Sequence, residues 1–497
     1  MTAPTPPIEL EGHASRLGGE PEPLPDALID HLRGLEREGA CSVTFDPTET
    51  ADAGRDWWPL ALHWALAGQV PRRAAAVVRP RTTAAVAAVL ATCDRLRIPV
   101  TAAGGRSGVC GASVPVFGGV VLDMTAFDQI DEIDASSGVV AVGAGAFGPD
   151  LEREVRDRAG LTVGHFPQSF DLATVGGWVA CRGAGQYSTR YGKIEDIVVG
   201  LEVVLADGRV IRTGGSPAAA VGPDLTQVFV GSEGTLGIVT KVWLRTHPVP
   251  PAERRAAYWF SSLSDGFEAC RRILRAGATP AVLRLYDGIE SARGHGGDGT
   301  SCVLLVLDEA DERILDATME IVDEVSRSLG EPGDPTLVER WTRHRNDTSA
   351  LQALTRRGFV VDTMEVAAPW SRLDDVHAAV TEALSAVSHA RSASCHLSHS
   401  YVDGACLYFS FAATPPADEV ESTYVAMWDA GQRAVLGAGG NLSHHHGVGL
   451  NRGRFMAEAL GDAHSVVIDV KAALDPNGIL NPGKLGIPSP FGAPSWP

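Results

Sequence analysis

Three consecutive histidines, His444, His445 and His446, are the residues of this chain best suited to chemistry. An imidazole titrates near neutral pH and can take or give a proton, so the run suggests acid–base work. It also reads as a polar loop at a domain seam. In extended backbone the outer two would share one side. His396 and His399 lie upstream and, with the tail histidines, suggest a metal site as an alternative. That alternative ranks lower, because no acidic residue has the expected tail spacing, and no metal is expected. A second signal is three separated runs of small residues: Ala103–Ser113, Pro167–Asp196 and Phe229–Val242. Their glycines leave backbone N–H groups uncovered, Ser169 and Thr174 add hydroxyls, and Arg182 adds charge. Such segments suit a large polar cofactor carrying phosphates. The first run is not G-x-G-x-x-G opening a helix, so a Rossmann unit is not indicated.

Regular elements must hold these runs. Residues 1–24 are rich in Pro and Gly and read as loose. Leu28, Leu32 and Leu35 mark a helix over 25–39, and Trp57, Trp58 and Trp64 should pack this arm on the body. Beyond Arg79 a helix carries Val86, Val89, Leu90, Cys93 and Leu96 on one face. Strands follow near 98–101, 119–124 and 139–144, then a helix over 149–159. Asp207-Gly208 signals a hairpin. Pro248-Val-Pro-Pro marks a boundary. After it come strand 256–261, helix 263–276, strands 280–286 and 302–308, helix 310–329, strand 406–411 and helix 418–436. That order predicts an antiparallel sheet covered by helices, a second domain in an α+β fold. The expected divisions are 1–68, 69–248, 249–436 and a returning tail, 437–497.

The chain has 497 residues, 44% of them hydrophobic, and a formal charge of −19. Strong acidity argues against nucleic acid as a partner. None of the eight cysteines forms a C-x-x-C pair, so neither a zinc ribbon nor a thioredoxin motif is expected. A reduced, cytoplasmic setting fits. No signal peptide or membrane span is read in the sequence.

With the elements placed, the motifs Gly176-Gly-Trp-Val-Ala, Tyr191-Gly-Lys-Ile-Glu-Asp, Pro280-Ala-Val-Leu-Arg-Leu, Ala405-Cys-Leu-Tyr, Ser443-His-His-His-Gly-Val-Gly and Leu474–Lys484 stand out. They resemble the FAD-binding flavoproteins of the vanillyl-alcohol-oxidase type, and within them alkyldihydroxyacetonephosphate synthase and its bacterial relatives. The resemblance implies a two-part FAD-binding domain with an antiparallel-sheet cap. It implies FAD held by Gly104, Gly105, Arg106, Ser107, Gly108, Gly111, Pro167, Ser169, Thr174, Gly176, Gly177, Gly183, Ser188, Tyr191, Glu233, Gly234, Gly237, Ile238 and Asn481. Several members tether FAD through a histidine in the first glycine-rich turn. Arg106 stands there and cannot form that bond, so noncovalent FAD is expected.

The resemblance also assigns catalysis to Tyr408, with His444, His445 and His446, and a substrate-side role to Arg284. Without it, Tyr408 reads as a strand aromatic with a wet hydroxyl, and Arg284 as a salt bridge on a sheet face. Counting back from Glu365-Val-Ala-Ala-Pro-Trp370, the family's second anion-binding arginine falls on Leu351. Arg345, Arg356 and Arg357 are near but in another register. The favoured expectation is therefore a FAD-dependent oxidoreductase acting on a small organic substrate under the cap. The alternatives are an ether-forming transferase with non-redox flavin chemistry, a 2-hydroxyacid dehydrogenase of the same fold, and a flavin-binding protein whose cap has lost catalysis. The partner expected is a small molecule, with transient membrane contact if the substrate is a lipid and a homodimer as the assembly to consider.

Overall fold

Thr82 starts one of the most regular segments. Its side chain accepts the Ala85 N–H at the head of helix Thr83–Leu96, satisfying a donor that the helix itself leaves free. Val86, Val89, Leu90 and Cys93 then fall on one buried face, and Arg97 ends the helix in the left-handed conformation. In the computed structural model, which describes residues 8–347 and 349–496, this helix packs on a four-stranded sheet. Its strand order is Cys41–Thr44, Ala76–Pro80, Val120–Asp123, Val100–Ala103. The last three run parallel, and their near-continuous burial is what a parallel sheet demands. The first is antiparallel, so this sheet draws strands from both sides of residue 68.

A second sheet is wholly antiparallel, in the order Val210–Gly214, Val198–Val204, Ile238–Arg245, Val139–Gly143, Ile130–Asp134. The hairpin expected at Asp207-Gly208 joins its first two strands.

The third sheet has seven strands, ordered Glu331–Pro332, Ala252–Phe260, Cys302–Ala310, Val282–Tyr286, Ala390–Ser400, Gly404–Ala413, Val360–Pro369. Helices Leu263–Arg275, Glu312–Arg327, Leu373–Ser385 and Val420–Gly437 cover one face, where Leu283, Leu285, Met364, Val366, Cys395, Leu397, Leu407 and Phe409 join one apolar core. Side chains alternate along a strand. Arg284, Glu365, His396 and Tyr408 therefore all project from the opposite face. This alternation gathers four polar residues from four strands at one place.

Expected helices 25–39, 263–276, 310–329 and 418–436 are found at Asp26–Arg37, Leu263–Arg275, Glu312–Arg327 and Val420–Gly437. Residues 8–24 are not loose: Ile8 and Leu17 are buried, and Ala14–Ser15 pairs with Gln69–Val70. Their apolar side chains find cover that composition alone does not reveal. Residues 1–7 of that stretch lie outside the described residues. Helices Gly288–His295, Thr336–His344, Ser349–Arg356 and Leu373–Ser385, and strands Val360–Pro369 and Ala390–Ser400, were not expected from the sequence. Among the described residues no helix is long and apolar enough to cross a membrane.

Candidate functional site

The three runs of small residues meet. A Cβ on Gly105 would lie 1.9 Å from the Leu172 carbonyl oxygen, and one on Gly104 2.2 Å from Thr174 Oγ1, so the first run touches the second at a separation only glycine permits. A Cβ on Gly449 would likewise lie 2.1 Å from the Cys110 carbonyl oxygen. Glu233, from the third run, accepts the N–H groups of Val448 and Gly449. Asn481 donates to the Ala112 and Glu233 carbonyls. Among the described residues both ring nitrogens of His165, which packs on Trp178 of the second run, and Ser113 Oγ and Asn481 Oδ1 are buried without a protein partner. Unpaired buried polar atoms are costly and uncommon. Their concentration beside uncovered glycine backbone fits a dinucleotide, whose phosphates, ribose and ring edges would supply the missing partners.

The cofactor-binding expectations divide on this geometry. Thr174 caps helix Val175–Cys181 through the Gly177 N–H, and Gly176 packs on Ala144. The Ser169 carbonyl closes a turn after Pro167. Gly183 bonds back to Trp178 as that helix ends. Gly111 and Gly234 have positive φ, Gly237 packs on Val203, and Ile238 opens a strand. Ser107 is half-buried and Gly108 exposed. Four side chains are engaged elsewhere. Arg106 donates to the Asp52 carbonyl at 2.8 Å. The Ser188 hydroxyl is 2.7 Å from His399 Nδ1. The Tyr191 hydroxyl donates to Glu309 at 2.6 Å. Glu233 braces the tail. These four act as struts around the cradle through their side chains.

Facing the cradle is a wall of aromatic and imidazole rings. His396 stacks on Tyr408 with centroids 4.8 Å apart, and Tyr408 lies 6.0 Å from His445 and 5.5 Å from His446. His399 stacks on His444 at 4.9 Å. The Tyr408 hydroxyl donates to Thr363 Oγ1 at 3.1 Å. Among the described residues no carboxylate contacts Arg284 directly. Its Nε donates to the Tyr286 hydroxyl at 2.7 Å, Nη2 meets His396 Nε2 at 2.5 Å, and the guanidinium lies over Trp341, 5.6 Å from the ring centroid. His396 Nδ1 in turn contacts Glu290 at 2.7 Å.

Of the two upstream histidines, His399 joins the tail histidines and His396 joins Arg284. His399, His444 and His445 offer ring nitrogens within 4.8 Å of one another, the geometry in which a cation could be held. At least one nitrogen of each ring already has a partner: Ser188 for His399 Nδ1, Tyr401 at 2.6 Å for His444 Nε2, and the His444–His445 Nδ1 pair at 2.8 Å.

Burial drives the titration of this wall. It pushes the His399, His444 and His445 imidazoles well below the ordinary range, with neighbouring cationic groups adding to the effect. It raises the Tyr408 hydroxyl. The histidines are therefore held as neutral proton acceptors, and the phenol as a donor.

The residue that organises the wall did not stand out in the sequence. Glu365 is fully buried and sits opposite Tyr408 in the strand register. Its Oε1 accepts the backbone N–H groups of His444, His445 and His446 at 3.2, 3.1 and 2.8 Å and the Ser443 hydroxyl at 2.6 Å. Arg452, also fully buried, pairs with it. Three successive N–H groups cannot reach one atom from extended backbone, where they alternate in direction. The expectation that the outer histidines share a side is thus corrected: the loop curls around a carboxylate, and His444 turns to Tyr401 and His399 while His446 turns to Glu365. Lys193 steadies the loop from the other side, donating to the His444 carbonyl at 2.8 Å.

Leu351 packs against Ile8, Leu62 and Ala65 of the arm. Arg356 and Arg357 line a surface cavity with arm residues. Arg345 instead reaches the site's edge, its guanidinium 4.9 Å from the Tyr187 centroid and 5.8 Å from those of Phe166 and Trp341. Its Nη1 is buried without a partner among the described residues.

Residues 74–214 match the family model of the FAD binding domain, and residues 249–485 match that of the C-terminal domain of FAD linked oxidases. The uncharacterized FAD-linked oxidoreductase YgcU of Escherichia coli K12 is 33% identical over 432 residues, covering 83% of this chain and 88% of that protein. The chain belongs to the FAD-linked oxidases. FAD is its cofactor, and residues 74–214, which contain the first two runs, match the domain that binds it. This FAD-linked oxidase is also similar to the alkyldihydroxyacetonephosphate synthase of Dictyostelium discoideum, at 26% identity over 84% of this chain and 74% of that one. A solved alkyldihydroxyacetonephosphate synthase structure shares its fold, with a TM-score of 0.77 at 21% identity, over 96% of this chain and 88% of that chain.

Proposed function

We propose that this FAD-linked oxidase oxidises a small organic alcohol bearing an anionic group, bound between the cap sheet and the cofactor. The observation that carries the reading is Arg284: a half-buried guanidinium with no carboxylate in direct contact among the described residues, beside Tyr408 and the histidines. A sheltered cation whose nearest carboxylate, Glu290, is reached only through His396 favours an anionic ligand. FAD, when bound, supplies the acceptor for the electrons and hydride leaving the substrate carbon. Arg284 would bind the substrate's anionic end and fix its distance from the wall. Tyr408 would orient the substrate oxygen by hydrogen bonding. A neutral histidine would take the hydroxyl proton. The rings of Tyr408, His396 and Trp341 would exclude water.

Anaerobic mixing with glycolate, D-lactate and glycerol phosphate tests the reading. Lasting bleaching of the flavin bands by at least one of them is expected. Flavin that stays oxidised with all of them counts against it. Arg345 supports a second reading. It is a second arginine on the same indole as Arg284, suited to the phosphate of an ether-forming, redox-neutral transfer. That reading requires product to form without lasting bleaching.

A further inference from the structure

Glu365 lies in the cap, and the residues it holds come from the tail. Its Oε1 gathers five donors: the Ser443 hydroxyl, the N–H groups of His444, His445 and His446, and Arg452 Nη1. Its other oxygen, Oε2, bonds Arg452 Nη2 and lies 2.8 Å from His446 Nδ1. Arg452 is itself fixed, donating to the Leu442 carbonyl and lying over Trp428 with its guanidinium carbon 5.0 Å from the ring centroid. His446 Nδ1 is shut off from water and has no other partner among the described residues. The two atoms are within hydrogen-bond distance but not aligned as a hydrogen bond.

A carboxylate accepting several N–H bonds stays ionised, and burial without water strengthens each bond. The anion can only accept, so a neutral His446 must carry its proton on Nδ1 to satisfy it. Among the described residues the other two tail histidines have no carboxylate bonded to their rings: His444 is committed to Tyr401 and His445 to His444.

We propose that Glu365, braced by Arg452, is the positioning residue of this site, and that it selects His446 as the histidine that handles the proton, holding Nδ1–H and leaving Nε2 for the substrate. The proposal rests on the oxidase reading only for its kinetic arm.

Two measurements test it. The first needs no substrate. In protein labelled with ¹⁵N-histidine at pH 8, the His446 resonances, identified by their loss in His446→Gln, should show a protonated Nδ1. A bare Nδ1 would overturn the assignment. The second uses the substrate found by anaerobic mixing. Glu365→Gln preserves shape and should keep FAD content and the substrate KM within about threefold, while kcat falls at least 10-fold. Because Glu365 acts through His446, the Glu365→Gln/His446→Gln double variant should be no slower than His446→Gln alone. Losses that multiply, or a Glu365→Gln enzyme as fast as the wild type, would refute it. If no substrate reduces the flavin, the oxidase reading fails while the resonance test still decides the assignment.

Discussion

Arg284 and Tyr408 carry the testable chemistry at the scale of single residues. Replacing Arg284 with Met removes the positive charge but keeps most of the side-chain length. If this arginine anchors an anion, KM should rise by at least 30-fold, matching the roughly 2–5 kcal/mol cost of losing one partner of a sheltered ion pair, and kcat should change less. Steady-state kinetics on the substrate found by mixing would check this, and an unchanged KM would remove the anchor. A Tyr408→Phe, His445→Ala double variant should lose most turnover; full activity would make both residues structural. Both arginine and tyrosine, in strands Val282–Tyr286 and Gly404–Ala413, were marked by the family resemblance; read from the strands alone they were a sheet-face salt bridge and a strand aromatic. Glu365 stands in strand Val360–Pro369, and its role was not legible. Its partners include backbone N–H groups 79 to 81 positions later, and no side-chain pattern records a backbone donor. Arg452, a side-chain donor 87 positions away, was missed because nothing local in the sequence ties it to Glu365.

Elements set what the loops can reach. Helices and strands with clean apolar spacing, such as Leu263–Arg275 and Glu312–Arg327, were legible within two residues. Strand Ala390–Ser400 was not, because its inward positions are Ser394, His396 and Ser398, polar residues buried at the site. Function erased the alternation that normally marks a strand. The close approach of Gly105 to Leu172 makes a prediction at this scale. Gly105→Ala would drive a methyl group into a carbonyl oxygen at 1.9 Å, and backbone cannot yield cheaply there. The variant should purify with less than half the FAD of the wild type, read from the ratio of absorbance at 450 to 280 nm. Full occupancy would mean that the first run can move away from the second without loss.

For the whole molecule, buried histidines set the response to acid. Burial, with Lys193 nearby, holds His165 down to about 3, and His399, His444 and His445 are displaced the same way. Below about pH 6.5 the unfolded chain protonates these rings while the fold resists, so stability falls with the pH. Asp56 and Asp362, raised by burial to about 7 and about 6, pull the other way but are outnumbered. His165 alone should remove about 2 kcal/mol between pH 6.5 and pH 5. Thermal melts should therefore shift downward over that interval, and less so for His165→Gln. Acid precipitation should leave yellow supernatant and colourless pellet, since Arg106 cannot tether FAD.

The first sheet ends on one side at Cys41–Thr44 and on the other at Val100–Ala103, where Val100 bridges to Leu480 and exchanges backbone hydrogen bonds with Ile479 and Asn481. The nucleotide-holding half is therefore sealed by residues translated after the entire cap. A ribosome cannot finish that half first and the cap second. A nascent chain arrested anywhere before residue 479 must wait, with its early sheet unsealed, and should emerge unable to retain flavin.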